Sequence, residues 1–261
     1  MKLFVSDLDG TLLNEEHVLD EEMRDYIKEL RKEGHIFGIA TGRPFYSALN
    51  AVPDIKELFD FGVFNNGANF IDFKDEEEHD QFPLSKDLIV NILDVYEPLG
   101  ANPILFKNGV MYTREETVYH QSMLERGFVI EYVDVRDHLD DYHEKIIFSV
   151  NDTTRPIILD HAQDNPHPGY VGFMSQAELV EFMDPRIDKW VGVQYFLNKY
   201  NLHHLESISF GDNGNDLELV KGAKVGVAMA NAIEEVQSAA DHIAPHHNEL
   251  GVMTFIKNYL K

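Results

Sequence analysis

No cysteine occurs among the 261 residues. That excludes disulfide bridges, a thiolate nucleophile and any zinc site built on cysteine. Basic residues are scarce, with 22 Lys and Arg against 46 Asp and Glu and a formal net charge of −24. A surface this acidic repels a nucleic-acid backbone, so no nucleic-acid partner is expected. A bound phosphate group would need local cations or a metal to overcome the same field. No Gly-x-Gly is present to suggest a dinucleotide site, and no Gly-Lys-Ser/Thr to suggest a nucleoside-triphosphate loop. No apolar run approaches membrane-spanning length, and Asp7 interrupts the N-terminus before a signal-peptide core could develop. The expectation is a soluble cytoplasmic protein with no membrane partner.

What is present is a 44% hydrophobic chain with one conspicuous stretch near its start, Phe4-Val5-Ser6-Asp7-Leu8-Asp9-Gly10-Thr11. Leu3 to Val5 reads as a buried strand. Asp7 and Asp9, two positions apart, face the same side of extended backbone at its C-terminal end. Open α/β sheets bind ligands at that edge. Clustered carboxylates repel one another and resist desolvation, and a hard oxygen-seeking cation such as Mg²⁺ relieves both costs. A solvated Asp-Gly turn is the alternative. An EF-hand is not, because it would need Gly and Glu where Leu12 and Val18 stand.

Downstream, 20–32 carries helical spacing through Met23, Tyr26, Ile27 and Leu30, with Asp20 placed to cap it. Residues 35–40 form a second apolar run, and two such strands around a helix make a βαβ unit. The second strand ends in Thr41-Gly42-Arg43-Pro44, where a hydroxyl and free backbone N–H groups form either an anion cradle or an ordinary turn. A third strand is predicted at 61–65, followed by an Asn66-Gly67 turn. Residues 69–73 and 81–82 are expected to form a hairpin around a solvated acidic loop, 75–80. From about residue 83 the strict alternation gives way to an α+β mixture, so 84–184 is expected to be an inserted second domain. That leaves 1–83 and 185–261 as a Rossmann-like α/β core with a mostly parallel sheet. Lys189 falls at the start of a helix that runs to about residue 200. Strand 207–210 leads into Gly211-Asp212-Asn213-Gly214-Asn215-Asp216 and then another helix, a suitable junction for metal and phosphate ligands. A strand at 225–229, a helix at 233–239, a short strand at 242–244 and a helix at 250–260 close the chain.

Three strand ends thus carry Asp-x-Asp-Gly-Thr, Thr-Gly-Arg and Gly-Asp-x-x-Asn-Asp in that order, with Lys189 ahead of the last. This set resembles the haloacid dehalogenase-like phosphatases, and within them the Cof-type group with its large inserted cap. The resemblance covers essentially the whole chain; Trp190 departs from it, standing where that group usually has glycine. It implies a Mg²⁺-dependent phosphatase acting on small metabolites, such as sugar phosphates or nucleotide-like cofactors. Asp7 would be the nucleophile that forms an aspartyl-phosphate, and Asp9 the general acid and base, its pKa raised by a crowded carboxylate cluster. Mg²⁺ would bind Asp7, the Asp9 carbonyl and Asp212, with Asp216 in direct or outer support. Thr41, Gly42, Lys189 and Asn215 would hold the phosphoryl group, and the cap would exclude water and choose the leaving group. A phosphomutase on the same core and a non-catalytic phosphate-binding module are the alternatives. The histidine pairs His203-His204 and His246-His247 read as surface residues.

Overall fold

The structure, a computed structural model, describes residues 1–125 and 127–261. The N-terminal apolar run forms β1 (Leu3–Ser6), buried along its whole length. Then come α1 (Glu21–Lys32), β2 (Ile36–Ala40), the short helices α2 (Phe45–Ala51) and α3 (Ile55–Leu58), and β3 (Phe61–Phe64). Two antiparallel strands, β4 (Asn69–Asp72) and β5 (Glu77–Asp80), follow. The middle of the chain holds β6 (Leu84–Ser85), α4 (Lys86–Tyr96), β7 (Asn102–Lys107), β8 (Val110–Thr113), α5 (Val118–Glu125) and β9 (Val129–Tyr132). It continues through β10 (Tyr142–His143), β11 (Ile146–Ser149), α6 (Thr154–Asp164), β12 (Val171–Gln176) and β13 (Leu179–Met183). The last third contains α7 (Lys189–Lys199), β14 (Ser207–Gly211), α8 (Leu217–Gly222), β15 (Val225–Met229), α9 (Glu234–Ala239), β16 (His242–Ala244) and α10 (Gly251–Tyr259).

Two compact units divide the chain: Met1–Gln81 with Ile187–Lys261, and Phe82–Arg186. The first is built on an eight-stranded sheet in the order β16-β15-β14-β1-β2-β3-β4-β5, parallel from β16 to β3. Strand alternation divides its core between two faces. Phe4, Phe37, Ile39 and Phe210 pack with Met23, Ile27 and Ile256 on one side, while Leu3, Val5, Phe61 and Val63 pack with Val193 and Phe196 on the other. Burial on both faces explains why these strands read as continuous apolar runs. β1 lies between β14 and β2, the point from which the strand order runs outward in both directions. The crevice beyond the carboxyl ends at such a point is where α/β sheets place ligands. Among the described residues, no helix is long and apolar enough to cross a membrane.

The second unit carries a six-stranded sheet, β12-β13-β11-β7-β8-β9, antiparallel except for the β8–β9 pair. Leu84, Ile89, Ile92, Leu93 and Tyr96 pack with Phe148, Val180 and Phe182 to form its main core.

Several local expectations are corrected. Four of the six residues in the acidic segment 75–80 are not loop: Glu77–Asp80 is the exposed edge strand β5, paired in register with Asn69–Asp72. Its charges hid the strand from hydrophobic patterning, and charge is also what protects an open sheet edge. Asp20 occupies the N-cap of α1 but makes no capping bond, because its carboxylate accepts from Asn14 Nδ2 instead. The β7–β8 hairpin was missed. Its Asn108-Gly109 turn has φ of 52° and 79°, the left-handed pair that a two-residue hairpin requires. Trp190 leaves the start of α7 intact: Asp188 still caps it through Val191 N–H, and the indole packs on Gly222.

Candidate active site

The end of β1 delivers Asp7, whose N–H bonds to Phe210 O at 3.0 Å and so extends the parallel ladder to the first carboxylate. The chain then leaves the strand through Gly10, at φ 74°. A Cβ there would stand 2.5 Å from Asp212 Oδ2, so Gly10 is required both by its backbone and by the approach of the Asp212 loop. Thr11 Oγ1 donates to Asp212 Oδ1 at 2.8 Å and ties the two loops together.

Asp7, Asp212 and Asp216 each place an oxygen within 4.8 Å of the others. Lys189 reaches the same point from the first turn of α7. It is fully buried, and its Nζ donates to Asp7 Oδ1 at 2.7 Å and to Asp216 Oδ1 at 2.6 Å. The other Asp216 oxygen accepts from Asp212 N–H and Asn213 N–H, both at 3.0 Å. Asp216 therefore holds both the lysine and the loop that carries Asp212.

The electrostatics follow from three acids sharing one ammonium. Burial first, then the charge of Asp216, holds the Asp7 carboxyl well above the usual carboxylate range against the pull of Lys189. Burial likewise raises Asp212 to about 6, opposed by the Thr11 bond and helped by Asp216. Burial would discharge Lys189, but Asp216 and Asp7 outweigh it and keep the amine protonated. With all three carboxylates ionised, two negative charges stay uncompensated in a buried site. An all-oxygen donor set with that deficit fits a hard divalent cation such as Mg²⁺.

Asp9 lies outside this trio. Its carboxylate is gripped by Arg43, Nε to Oδ2 and Nη2 to Oδ1, both at 2.6 Å, and by His17 Nδ1 at 2.8 Å from Oδ1. Burial tends to raise its pKa, yet the Arg43 bonds and charge, then those of His17, bring it below the ordinary value. The expectation of a raised Asp9 pKa is thus overturned. The crowding of acids acts on Asp7 and Asp212, while Asp9 faces Arg43 and His17.

Thr41 directly follows β2, buried, with its N–H on Val63 O at 2.9 Å. Its Oγ1 accepts from Arg43 N–H at 3.1 Å. Gly42 stands where a Cβ would lie 3.0 Å from Asn66 Oδ1 and 3.4 Å from Asn215 Nδ2. Asn215 Nδ2 donates to Asn66 Oδ1 at 2.9 Å, bringing Thr41-Gly42 and Asn215 into one neighbourhood. Sequence reasoning gave no role to Arg43, His17, Asn66 or Asn231. Asn231 Nδ2 donates to Gly10 O at 2.8 Å, and its Oδ1 accepts from His247 N–H at 3.2 Å. His247 in turn bonds Leu13 O through Nδ1, so it braces the first loop instead of lying idle on the surface. The signal for Arg43 was its place in Thr-Gly-Arg, whereas His17 and Asn231 left none.

A doubly wound sheet with carboxylates at neighbouring strand ends sets the class as an α/β enzyme. Comparison with known proteins gives the family. A profile described as haloacid dehalogenase-like hydrolase matches residues 4–256, and the chain belongs to that family. Its relatives include 5-amino-6-(5-phospho-D-ribitylamino)uracil phosphatase YitU of Bacillus subtilis, 28% identical, covering 98% of this chain and 97% of that protein. YbjI of Escherichia coli (strain K12), a phosphatase of the same name, is 26% identical and covers 100% of this chain and 97% of its own. The crystal structure of a haloacid dehalogenase-like hydrolase from Bacteroides thetaiotaomicron shares the fold, with a TM-score of 0.84, 23% identity and 99% of both chains covered. The protein is a hydrolase of the phosphatase class.

Proposed function

We propose that this chain hydrolyses small phosphate monoesters with the help of Mg²⁺, by way of a phosphorylated Asp7. The observation that carries the reading is the Asp7–Lys189–Asp216 cluster with Asp212 at its rim. It supplies a carboxylate nucleophile, a fixed buried cation and an oxygen donor set in one place. Asp7, Asp212 and the Asp9 carbonyl would hold the metal, with Asp216 supporting from behind, since its two oxygens already bond Lys189 and the loop N–H groups. When bound, Mg²⁺ supplies positive charge to the phosphoryl oxygens.

Among the described residues, Lys189 is the one hydrogen-bond donor on the Asp7 carboxylate, and it uses Oδ1. The other oxygen, Oδ2, attacks phosphorus; the P–O bond to the leaving alcohol breaks, and the alcohol oxygen takes a proton from Asp9. Asp9 then accepts a proton from water, whose oxygen displaces Asp7 from phosphorus and releases inorganic phosphate. To act as acid, Asp9 must give up part of its pairing with Arg43 and His17. Lys189, the Asn215 amide, Thr41 and the Gly42 backbone hold the phosphoryl group, so that catalysis is mainly positioning and charge stabilisation. These motifs grip only the phosphoryl group, so choice of leaving group is assigned to the inserted unit, Phe82–Arg186. YitU and YbjI act, by name, on a phosphorylated ribitylamino-uracil. That compound belongs at the head of a panel with sugar phosphates and nucleotide-like cofactors. The work would be done in the cytoplasm.

The test is phosphate release from an aryl phosphate with and without Mg²⁺. Asp7→Asn is expected to lower turnover by on the order of 10⁴-fold or more, and retained activity would remove Asp7 as the nucleophile. Incubation with a hexose phosphate separates hydrolase from mutase: free phosphate supports the first, isomerised ester the second.

A further inference from the structure

The corner between β3 and β4 joins three pieces of the phosphate site and is itself unassigned. Asn65, Asn66 and Gly67 all have positive φ, at 48°, 57° and 114°. Asparagine tolerates the left-handed region better than other side-chain-bearing residues, which lets two of them turn the chain here. The backbone is stapled to the β2 loop, with Asn66 N–H on Thr41 O and Asn65 N–H on Arg43 O, both at 3.1 Å. Gly67 meets the Lys189 helix, since a Cβ there would stand 2.0 Å from the carbonyl oxygen of Asp188, the N-cap of α7. The Asn66 side chain reaches the third piece, its Oδ1 accepting from Asn215 Nδ2 at 2.9 Å while lying 3.0 Å from the Gly42 Cβ position.

We infer that Asn66 is a positioning residue of the phosphate cradle, holding the Asn215 amide in the orientation that presents its second N–H to a phosphoryl oxygen. The terminal torsion of an asparagine is broad, and one amide N–H tied to a fixed acceptor sets the direction of the other. Asn215 is exposed and its loop gives the amide no other partner among the described hydrogen bonds. The hydrogen bond from Asn215 to Asn66 is therefore what orients it. A carboxylate at 66 would accept as well but would set a negative charge beside the phosphoryl group. An amide oxygen does not.

The inference rests on the reading of Asn215 as a phosphoryl ligand, and the experiment separates the two. The full chain is titrated with inorganic phosphate at saturating Mg²⁺ by calorimetry, as wild type, Asn66→Gly, Asn215→Ala and the double variant. Glycine keeps the left-handed corner unstrained, so Asn66→Gly removes the amide without forcing the backbone. Both single variants are expected to weaken phosphate binding by about five- to tenfold. The double variant is expected to be no weaker than Asn215→Ala, because Asn66 acts through Asn215. The Mg²⁺ affinity of Asn66→Gly, read from thermal shift, is expected to stay within about twofold of wild type. If Asn215→Ala weakens phosphate and Asn66→Gly does not, or if the two effects add, the inference fails and the phosphate reading stands. If Asn215→Ala leaves phosphate affinity unchanged, the phosphate reading of Asn215 fails and takes the inference with it.

Discussion

Arg43 holds Asp9 through two parallel hydrogen bonds of 2.6 Å, engaging both carboxylate oxygens from one guanidinium edge. The pairing links two motifs 34 positions apart, at the ends of neighbouring strands β1 and β2. It also fixes where the proposed acid rests before it acts. Arg43→Ala is expected to lower kcat/KM for an alkyl phosphate by about 10²-fold through misplacement of Asp9. An aryl phosphate, whose leaving group needs little protonation, is expected to lose much less. Arg43→Lys is not expected to rescue the alkyl substrate, because an ammonium lacks the planar fork. Equal losses on both substrates would refute a positioning role.

In the proposed metal site, Asp212 would give cation binding its pH dependence. Its carboxyl is raised by burial to about 6 in the metal-free protein. A raised acid stabilises the fold below its ordinary pKa, and that contribution is lost as pH rises through the folded value. The metal-free protein therefore bears an ionised, desolvated Asp212 above about pH 6, and the cation offsets it. The rise in melting temperature on adding Mg²⁺ is expected to be larger at pH 7.5 than at pH 5. The opposite order would mean that Asp212 is not a ligand.

Asn231 carries no charge, yet it donates to Gly10 O and accepts from His247 N–H. Two residues on, Ile233 N–H bonds Asp212 O at 2.9 Å, so this one segment steadies both the Gly10 loop and the Asp212 loop. Asn231→Ala is expected to raise the Mg²⁺ concentration for half-maximal activity by about 10- to 100-fold, as loss of an outer partner commonly does. Substrate KM at saturating Mg²⁺ should change little. Titrating Mg²⁺ against activity and against thermal shift checks both.

Asp72 tests the other end of the sheet. It is buried, and its Oδ2 accepts from Lys199 Nζ and from the Tyr200 hydroxyl, both at 2.6 Å. Burial raises its pKa, but Lys199 and then Tyr200 outweigh it and hold the carboxyl below the usual range. A lowered acid contributes stability above the ordinary carboxylate pKa, and this is lost as pH falls through the folded value. Asp72→Ala is expected to cost about 2–3 kcal/mol at pH 7, near the lower limit for breaking a buried pair because Lys199 is partly exposed. The difference from wild type should shrink in urea melts below about pH 4.

Much of this molecule was legible one residue at a time. The doubly buried strands read as apolar runs because both faces are packed and the few polar side chains there, such as Ser209, are small and hydrogen-bonded, and Asp7, Thr41 and Asp212 announced themselves because hydrophilic residues ended those runs. Edge strand β5 did not, because its exposed side chains, Glu77 to Asp80, are under no pressure to be apolar. The carboxylates themselves were plain, but their proton affinities were not. Asp7 and Asp9 share a motif, yet one is pushed up by burial among acids and the other is drawn down by Arg43 and His17.

The sequence by itself determined the buried strands of the core, the helices with a clear apolar stripe, the family and the set of chemical groups available, because these depend on local pattern and spacing. Only the tertiary structure decided which group faces which. Lys189 meets Asp7 across 182 positions, and Asn66 meets Asn215 across 149. Contacts at that separation are set by how the sheet brings its strand ends together, and a pKa depends on the charges and solvent within a few ångströms, wherever along the chain they originate.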